Sequence, residues 1–215
     1  MRFVILGCAL LLAGVARVQS AVYYVDYAGG SDANVGTNGS QPWKHCPGDP
    51  AAGGVAAGVN LAPGDVVRFK GGVEYELRGA TGIRLAWDGA AGAAITYDGN
   101  SDGSWGAGRA VLTDRNGGNG ISVFLATGLR RHLRFTSFEF SAVGGAAVLP
   151  GDGGGALQAR FGGGLAFPAG AEEVVVEDSF FHDLGYWQNV RPLAAASLAG
   201  CGISGQGRLR LVIVR

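Results

Sequence analysis

The sequence predicts an all-β fold built as a stack of parallel coils, and three observations carry that expectation. Glycine supplies 40 of the 215 residues, more than twice its usual share, without the G-X-Y period of collagen. No window keeps a 3.6-residue apolar period over three turns, so a helix bundle or helical solenoid does not fit. Short alternating apolar segments instead return at a loose interval of about 40 residues, as stacked repeats do. A β-sandwich also has many short strands, but its units have no reason to resemble one another at an interval, whereas coils must stack like on like.

Residues 1–20 stand apart. Arg2 is followed by an apolar run from Phe3 to Val15, and Val18-Gln19-Ser20 ends in a small residue before Ala21. This pattern predicts a secretory signal peptide cleaved near Ser20/Ala21, too short for a membrane span. Export to the periplasm or the extracellular space is therefore expected, with no membrane association after cleavage. Lys and Arg total 17, as do Asp and Glu; loss of Arg2 and Arg17 leaves 15 basic against 17 acidic residues. With no basic tract, nucleic acid is not an expected partner.

From Ala21 the pattern predicts a strand at 22–26 (VYYVD), a polar loop at 27–43, and no long helix through KHCPGDPAAGGVAAGVN, where Pro and Gly interrupt any run. Pro63-Gly64-Asp65 predicts a turn with proline second and glycine third, and VVRF (66–69) a strand ended by KGG. We divide the chain into the leader (1–20), an N-terminal strand, loop and entry segment (21–81), and coils (82–215).

The coils are read from their echoes. A glycine and an apolar pair recur as GIRL, GISV, GLAF and GIS, with Ile83, Ile121, Leu165 and Ile203 separated by 38, 44 and 38 residues. A second pair follows each: Ile95/Tyr97, Leu133/Phe135, Val174/Val176 and Leu211/Ile213. AVLTD (110–114) echoes AVLPGD (147–152), and Phe140 maps onto Phe181. Period-two alternation places Val174 and Val176 inward and Val175 and Glu177 outward. Whether each unit is one coil with long loops or two short coils stays open at this level.

The stretches YYVDYAGGSDANVGTNGSQPW, LAPGDVVRFKGGVEY and VVVEDSFFHDLG resemble secreted bacterial proteins of the pectate-lyase-like superfamily. The resemblance covers most of residues 22–213. It implies a right-handed parallel β-helix and says little about chemistry, because lyases, hydrolases, esterases and non-catalytic surface proteins share that fold. Relatives often carry a helix capping the first coil, which residues 44–60 do not predict. The repeat stops inside a unit at Arg215, so we expect the front part of a longer protein, incomplete at its C-terminus. Along such a stack Cys46 and Cys201 lie about 15–20 Å apart at ~4.8 Å per coil, beyond disulfide reach, so two free thiols are expected.

Candidate chemistry is sparse. Glu177, His182 and Asp183, with Arg191 downstream, are the titratable residues that suggest acid–base work; the competing expectation makes Asp178-Ser179 a polar corner with Phe181 stacked on Phe140, and it carries more weight. Trp43, Trp87, Trp105, Tyr186 and Trp187 either line a saccharide groove or pack beneath loops. Asp26, Asp32 and Asn34 are oxygen donors for calcium, but three ligands are few, and Asx turns explain them as well; no cofactor is otherwise expected. His45 beside Cys46 lacks a second Cys/His pair and reads as a loop residue.

The functional expectation is an exported β-helix protein that acts on or binds polysaccharide, with β-elimination on a uronic-acid glycan as its sharpest form. The alternatives are a non-catalytic glycan-binding or surface/adhesin module, and an inactive fragment. Whether it is an enzyme, and its oligomeric state, are left open.

Overall fold

The computed structural model describes residues 20–77, 82–113, 122–141, 163–182, 201–205 and 209–214. Strand β1 (Val22–Val25) is followed by a loop containing the single helical turn α1 (Gly54–Ala57), and then the chain runs in circuits. The first circuit is β2 (Val66–Phe69), β3 (Glu74–Glu76) and β4 (Ile83–Leu85); the second is β5 (Ile95–Asp98), β6 (Ala110–Thr113) and β7 (Ser122–Ala126). The third contains β8 (Arg130–Arg131) with β9 (Leu133–Thr136), then β10 (Phe138–Ser141) and β11 (Gly163–Phe167). The fourth is β12 (Ala171–Glu177), β13 (Phe180–His182) and β14 (Cys201–Gly205), and β15 (Leu209–Val214) opens the next.

Each circuit visits three sheets in the same order. The first sheet runs β1-β2-β5-β9-β12-β15, with β8 on β12; the second runs β3-β6-β10-β13; the third runs β4-β7-β11-β14. Every pairing between these strands is parallel. The described chain is thus almost wholly β with parallel strands, and one repeat of the sequence is one circuit rather than two.

Register follows the second apolar pair. Ile95 lies beside Leu133, Tyr97 beside Phe135, Phe135 beside Val176, and Val176 beside Ile213. Tyr97 and Phe135 stack at 5.2 Å, as do Phe140 and Phe181 at 4.5 Å. Offset aromatic stacking of this kind adds to simple burial and rewards like residues in successive circuits. Phe124 sits centrally, in ring contact with Phe69, Tyr97, Phe135, Phe138 and Phe140.

Two expected alignments are corrected. Ile83 pairs with Phe124, and Phe124 with Leu165, so Ile121 is not the stacking partner; the larger aromatic three residues on takes the core position. Ala110–Leu112 pair with Phe138–Phe140, not with residues 147–149, because the second-sheet strand follows at once from the corner after β9. Residues 44–60 do contain a helical turn, but only one. At Gly82, which precedes β4, a Cβ would lie 1.8 Å from the Ser122 carbonyl, so that glycine is required by the close approach of the next circuit.

The expected turn at 63–65 is present: Asp65 N–H donates to the Ala62 carbonyl at 3.0 Å and Gly64 takes φ +91°, as proline second and glycine third require.

Candidate functional site

Alternation divides the second sheet into two faces. Tyr75, Leu112 and Phe140 are buried in the core, so their neighbours in each strand belong to the opposite face. Reading across the strands, that outer face carries Glu74, Val111, Glu139 and Phe180 in one row, and Glu76, Thr113, Ser141 and His182 in the next. Phe180 is exposed, while Thr113 and Ser141 are buried despite their outward side. His182 Nε2 lies 3.1 Å from Glu139 Oε1; these residues stand diagonally on neighbouring strands. An ionised carboxylate only accepts, so the imidazole N–H donates.

At the β3 edge this face opens into a cavity of about 720 Å³ lined by Tyr27, Lys44, His45, Asp49, Glu74 and Glu76, with Val73 and Leu77 among the apolar lining. The loop before α1 supplies its far wall. Asp32 accepts from the His45 backbone N–H at 2.7 Å, from His45 Nδ1 at 2.7 Å and from the Gly53 N–H at 3.0 Å. Burial raises the Asp32 carboxyl, but these donors outweigh it and hold it below the usual carboxylate range. With Nδ1–H held by Asp32, the lone pair of neutral His45 resides on Nε2. This is the geometry of an oriented imidazole base.

Tyr27 donates its hydroxyl to Asp49 Oδ2, and Asp49 Oδ1 accepts from the Ala51 N–H at 2.8 Å. Burial, then the Asp49 charge, push the Tyr27 hydroxyl far above the ordinary tyrosine range, so Tyr27 keeps its proton and donates it to Asp49. Cys46, beneath this wall, is a free and fully buried thiol; burial first and Asp49 second raise it well above the ordinary cysteine range. It is a packed core residue, not a nucleophile. The side chain of Cys201 lies outside the description.

The sequence-predicted residues are dispersed. Glu177 ends β12 on the first sheet, where Arg134 Nε donates to it at 2.6 Å. His182 belongs to the second sheet, and the corner Asp178-Ser179 separates the two. That corner is structural: Asp178 takes φ +43° and accepts from Ser137 Oγ at 2.7 Å and Arg109 at 2.6 Å, which hold its carboxyl below the usual range. Phe181 stacks on Phe140 as expected. Asp183, Tyr186, Trp187 and Arg191 lie outside the described residues.

Trp43 is fully buried, stacked on Tyr23 at 4.9 Å with its Nε1–H donated to the Asn34 carbonyl. It cannot line a groove, because the loop closes over it: a Cβ at Gly36 would meet its ring at 2.1 Å. Trp87, half-buried, donates to Asn60 at 3.2 Å, and Trp105 packs edge-on against Tyr24 at 5.0 Å. Neither borders the cavity beside β3.

Asp26 accepts from Lys70 Nζ at 2.7 Å and from the Ala28 and Gly29 N–H groups at 3.0 Å. Asn34 donates to the Pro42 carbonyl at 2.8 Å. Together with Asp32 on His45, the three proposed calcium donors are thus each committed to different partners. Asp49, Glu74, Glu76 and Glu139 were not singled out from sequence; the available signal was Glu-Tyr-Glu alternation at 74–76 around an inward tyrosine.

No family model matches the chain, and a search of curated proteins also finds no match. Among solved structures, the chain is similar to GH136 lacto-N-biosidase from Eubacterium ramulus, in both its native and selenomethionine crystal structures, with 19% identity and a TM-score of 0.49. The match covers 74% of this chain and 27% of each solved chain. A likeness at this level does not fix the chemistry of the chain.

Proposed function

We propose that the protein is an exported right-handed parallel β-helix that binds a neutral polysaccharide along the outer face of its second sheet and hydrolyses it beside β3. The observation that carries this reading is the cavity itself, lined by Glu74 and Glu76 from β3 and by Asp49 and His45 from the loop, with His45 Nδ1 held by Asp32. Glu74 and Glu76, two residues apart on one strand face, have Cα atoms about 6.6 Å apart at the usual rise per residue. Glycoside hydrolysis uses a pair of carboxyl groups, one as general acid to the leaving oxygen and the other as base to water. The Tyr27 oxygen and His45 Nε2 offer acceptors for sugar hydroxyls, and Phe180 offers an apolar surface further along the face.

The preference for a neutral glycan follows from charge. The eight described outer positions of the second sheet hold Glu74, Glu76, Glu139 and His182 and no Lys or Arg. β-Elimination on a polyuronate requires cations against the substrate carboxylate, and in the cavity lining Glu74, Glu76 and Asp49 outnumber Lys44.

Secreted protein is to be incubated with panels of neutral glycans and polyuronates. We expect new reducing ends from a neutral glycan, lost in E76Q with the fold intact. Unsaturated ends from a polyuronate would replace hydrolysis by elimination, and retention on a glycan without turnover in any variant would leave a binding module.

A further inference from the structure

Two buried acids among the described residues face a cation, Asp26 with Lys70 and Asp98 with Arg68, and a third, Asp49, accepts from the Tyr27 hydroxyl. Asp65 pairs with neither a cation nor a hydroxyl. It is 3% exposed, and its two oxygens accept only backbone N–H groups, Oδ1 from Ala21 at 2.8 Å and Oδ2 from Ala62 at 2.9 Å. A buried carboxylate satisfied by neutral donors alone still carries an uncompensated charge.

The donor at Oδ1 is the amide of the residue that follows the predicted leader. Position 21 is also where the fold takes hold: the Ala21 carbonyl accepts from the Val66 N–H at 2.9 Å, while Ser20 is exposed. We propose that the Ser20–Ala21 bond is the processing site and that Asp65 is a socket for the α-ammonium which cleavage creates there. This rests on the export reading. Water adds across the peptide bond under a leader peptidase, leaving a carboxylate on Ser20 and an ammonium on Ala21. The Ala21–Asp65 hydrogen bond thereby becomes a charge-assisted ion pair. A second cavity, about 660 Å³, is lined by Ser20, Pro63 and Gly64, the sequence neighbours of Ala21 and Asp65.

The other titratable and charged groups facing this corner are Tyr23 on β1 and, across the second cavity, His132, Arg134 and Glu173. His132 pairs with Glu173 at 3.0 Å and Arg134 with Glu177. Burial and the Asp65 charge move Tyr23 ionisation above its ordinary range, away from the range in which an α-amine titrates.

The full chain is to be produced in a secreting host and its N-terminus read by intact mass and terminal sequencing. Ala21 is the expected first residue. Cleavage at another bond overturns the socket while leaving export standing; a leader retained in the cytoplasm overturns the export reading itself. The amine is then tested directly. An α-amine has an ordinary pKa of about 7.7–8.0, and an adjacent carboxylate raises it by about one unit or more. Acylation of the Ala21 amine at pH 7 is therefore expected to be at least about tenfold slower than in D65N, and equal rates overturn the proposal.

Should D65N fail to fold, the processed protein is compared with its α-acetylated form. A raised amine pKa gives stability that is complete below the unfolded value, about 8, and is lost as pH rises through the folded value. The free-amine protein is expected to lose melting temperature above about pH 8 relative to the acetylated form, and parallel profiles overturn the proposal.

Discussion

The outer faces of the first and second sheets are built on the same circuits and solve charge in opposite ways. On the first sheet, acids and bases alternate across the strands: Arg68 pairs with Asp98 at 3.1 Å, Arg131 with Glu172 at 2.8 Å, and Arg134 with Glu177. Each pair bridges successive circuits, so this face neutralises itself along the stack. On the second sheet, the described outer positions include Glu74, Glu76 and Glu139, with His182 set against Glu139. Neighbouring like charges oppose folding. The contrast teaches that two faces of the same circuits can differ in charge: the first pairs its acids with arginines of the neighbouring circuit, and the second gathers carboxylates on adjacent strands.

The largest effect expected removes both faces at once. Phe124→Ala empties the centre of the aromatic core that supports all three sheets, and should cost about 3–5 kcal/mol, read as a fall in the denaturant midpoint. A midpoint within ~1 kcal/mol of the parent would mean that the circuits do not share one core.

The faces are separated next. E76Q should lower turnover of a cleaved glycan by about 10²- to 10⁴-fold, the usual worth of a general acid or base, with an unchanged melting temperature. An equal loss of activity in E177Q, on the first sheet, would erase the distinction drawn here.

Acid sharpens the comparison through the N-terminal loop. Burial raises the Asp26 carboxyl, but the Lys70 ammonium and the Gly29 and Ala28 N–H groups outweigh it and hold it low, as His45 and backbone donors do for Asp32. A folded carboxyl below its unfolded value contributes stability that is complete above about pH 4 and lost as pH falls through the folded value. Melting temperature should therefore drop below about pH 4, and D26N should flatten that drop; an unchanged slope in D26N would detach Asp26 from it.

The smallest effect belongs to the exposed ladder. Arg134→Ala should cost no more than about 1 kcal/mol and less at high salt, measured as a melting shift at two ionic strengths, with turnover unaffected. A loss of activity in this variant would extend the working surface to the first sheet.

Much of the coil architecture was legible because it is local. Val174 and Val176 alternate with Val175 and Glu177, and that alternation alone fixes their faces. Ile95 falls in register with Leu133, and Val174 with Leu211, as the recurrence of apolar pairs leads one to expect. The third sheet misled because Ile121 and Phe124 both follow a glycine-rich stretch, and only packing selects the larger ring. The site was less legible still. Nothing in a glycine-rich loop announces that His45 will meet Asp32 thirteen residues earlier, or that His45 will share a cavity with Glu74 and Glu76; His45 therefore read as a loop residue.

By itself, then, the sequence determined which residues alternate, where strands turn and that like stacks on like, since these depend on neighbours and on a repeat. Only the tertiary structure decided which loop closes against which strand, and with it the cavity, the oriented imidazole and the buried carboxylate beside Ala21. Those features join groups 13 to 44 residues apart, and such contacts are set by the path of the chain through space, on which local pattern places no constraint.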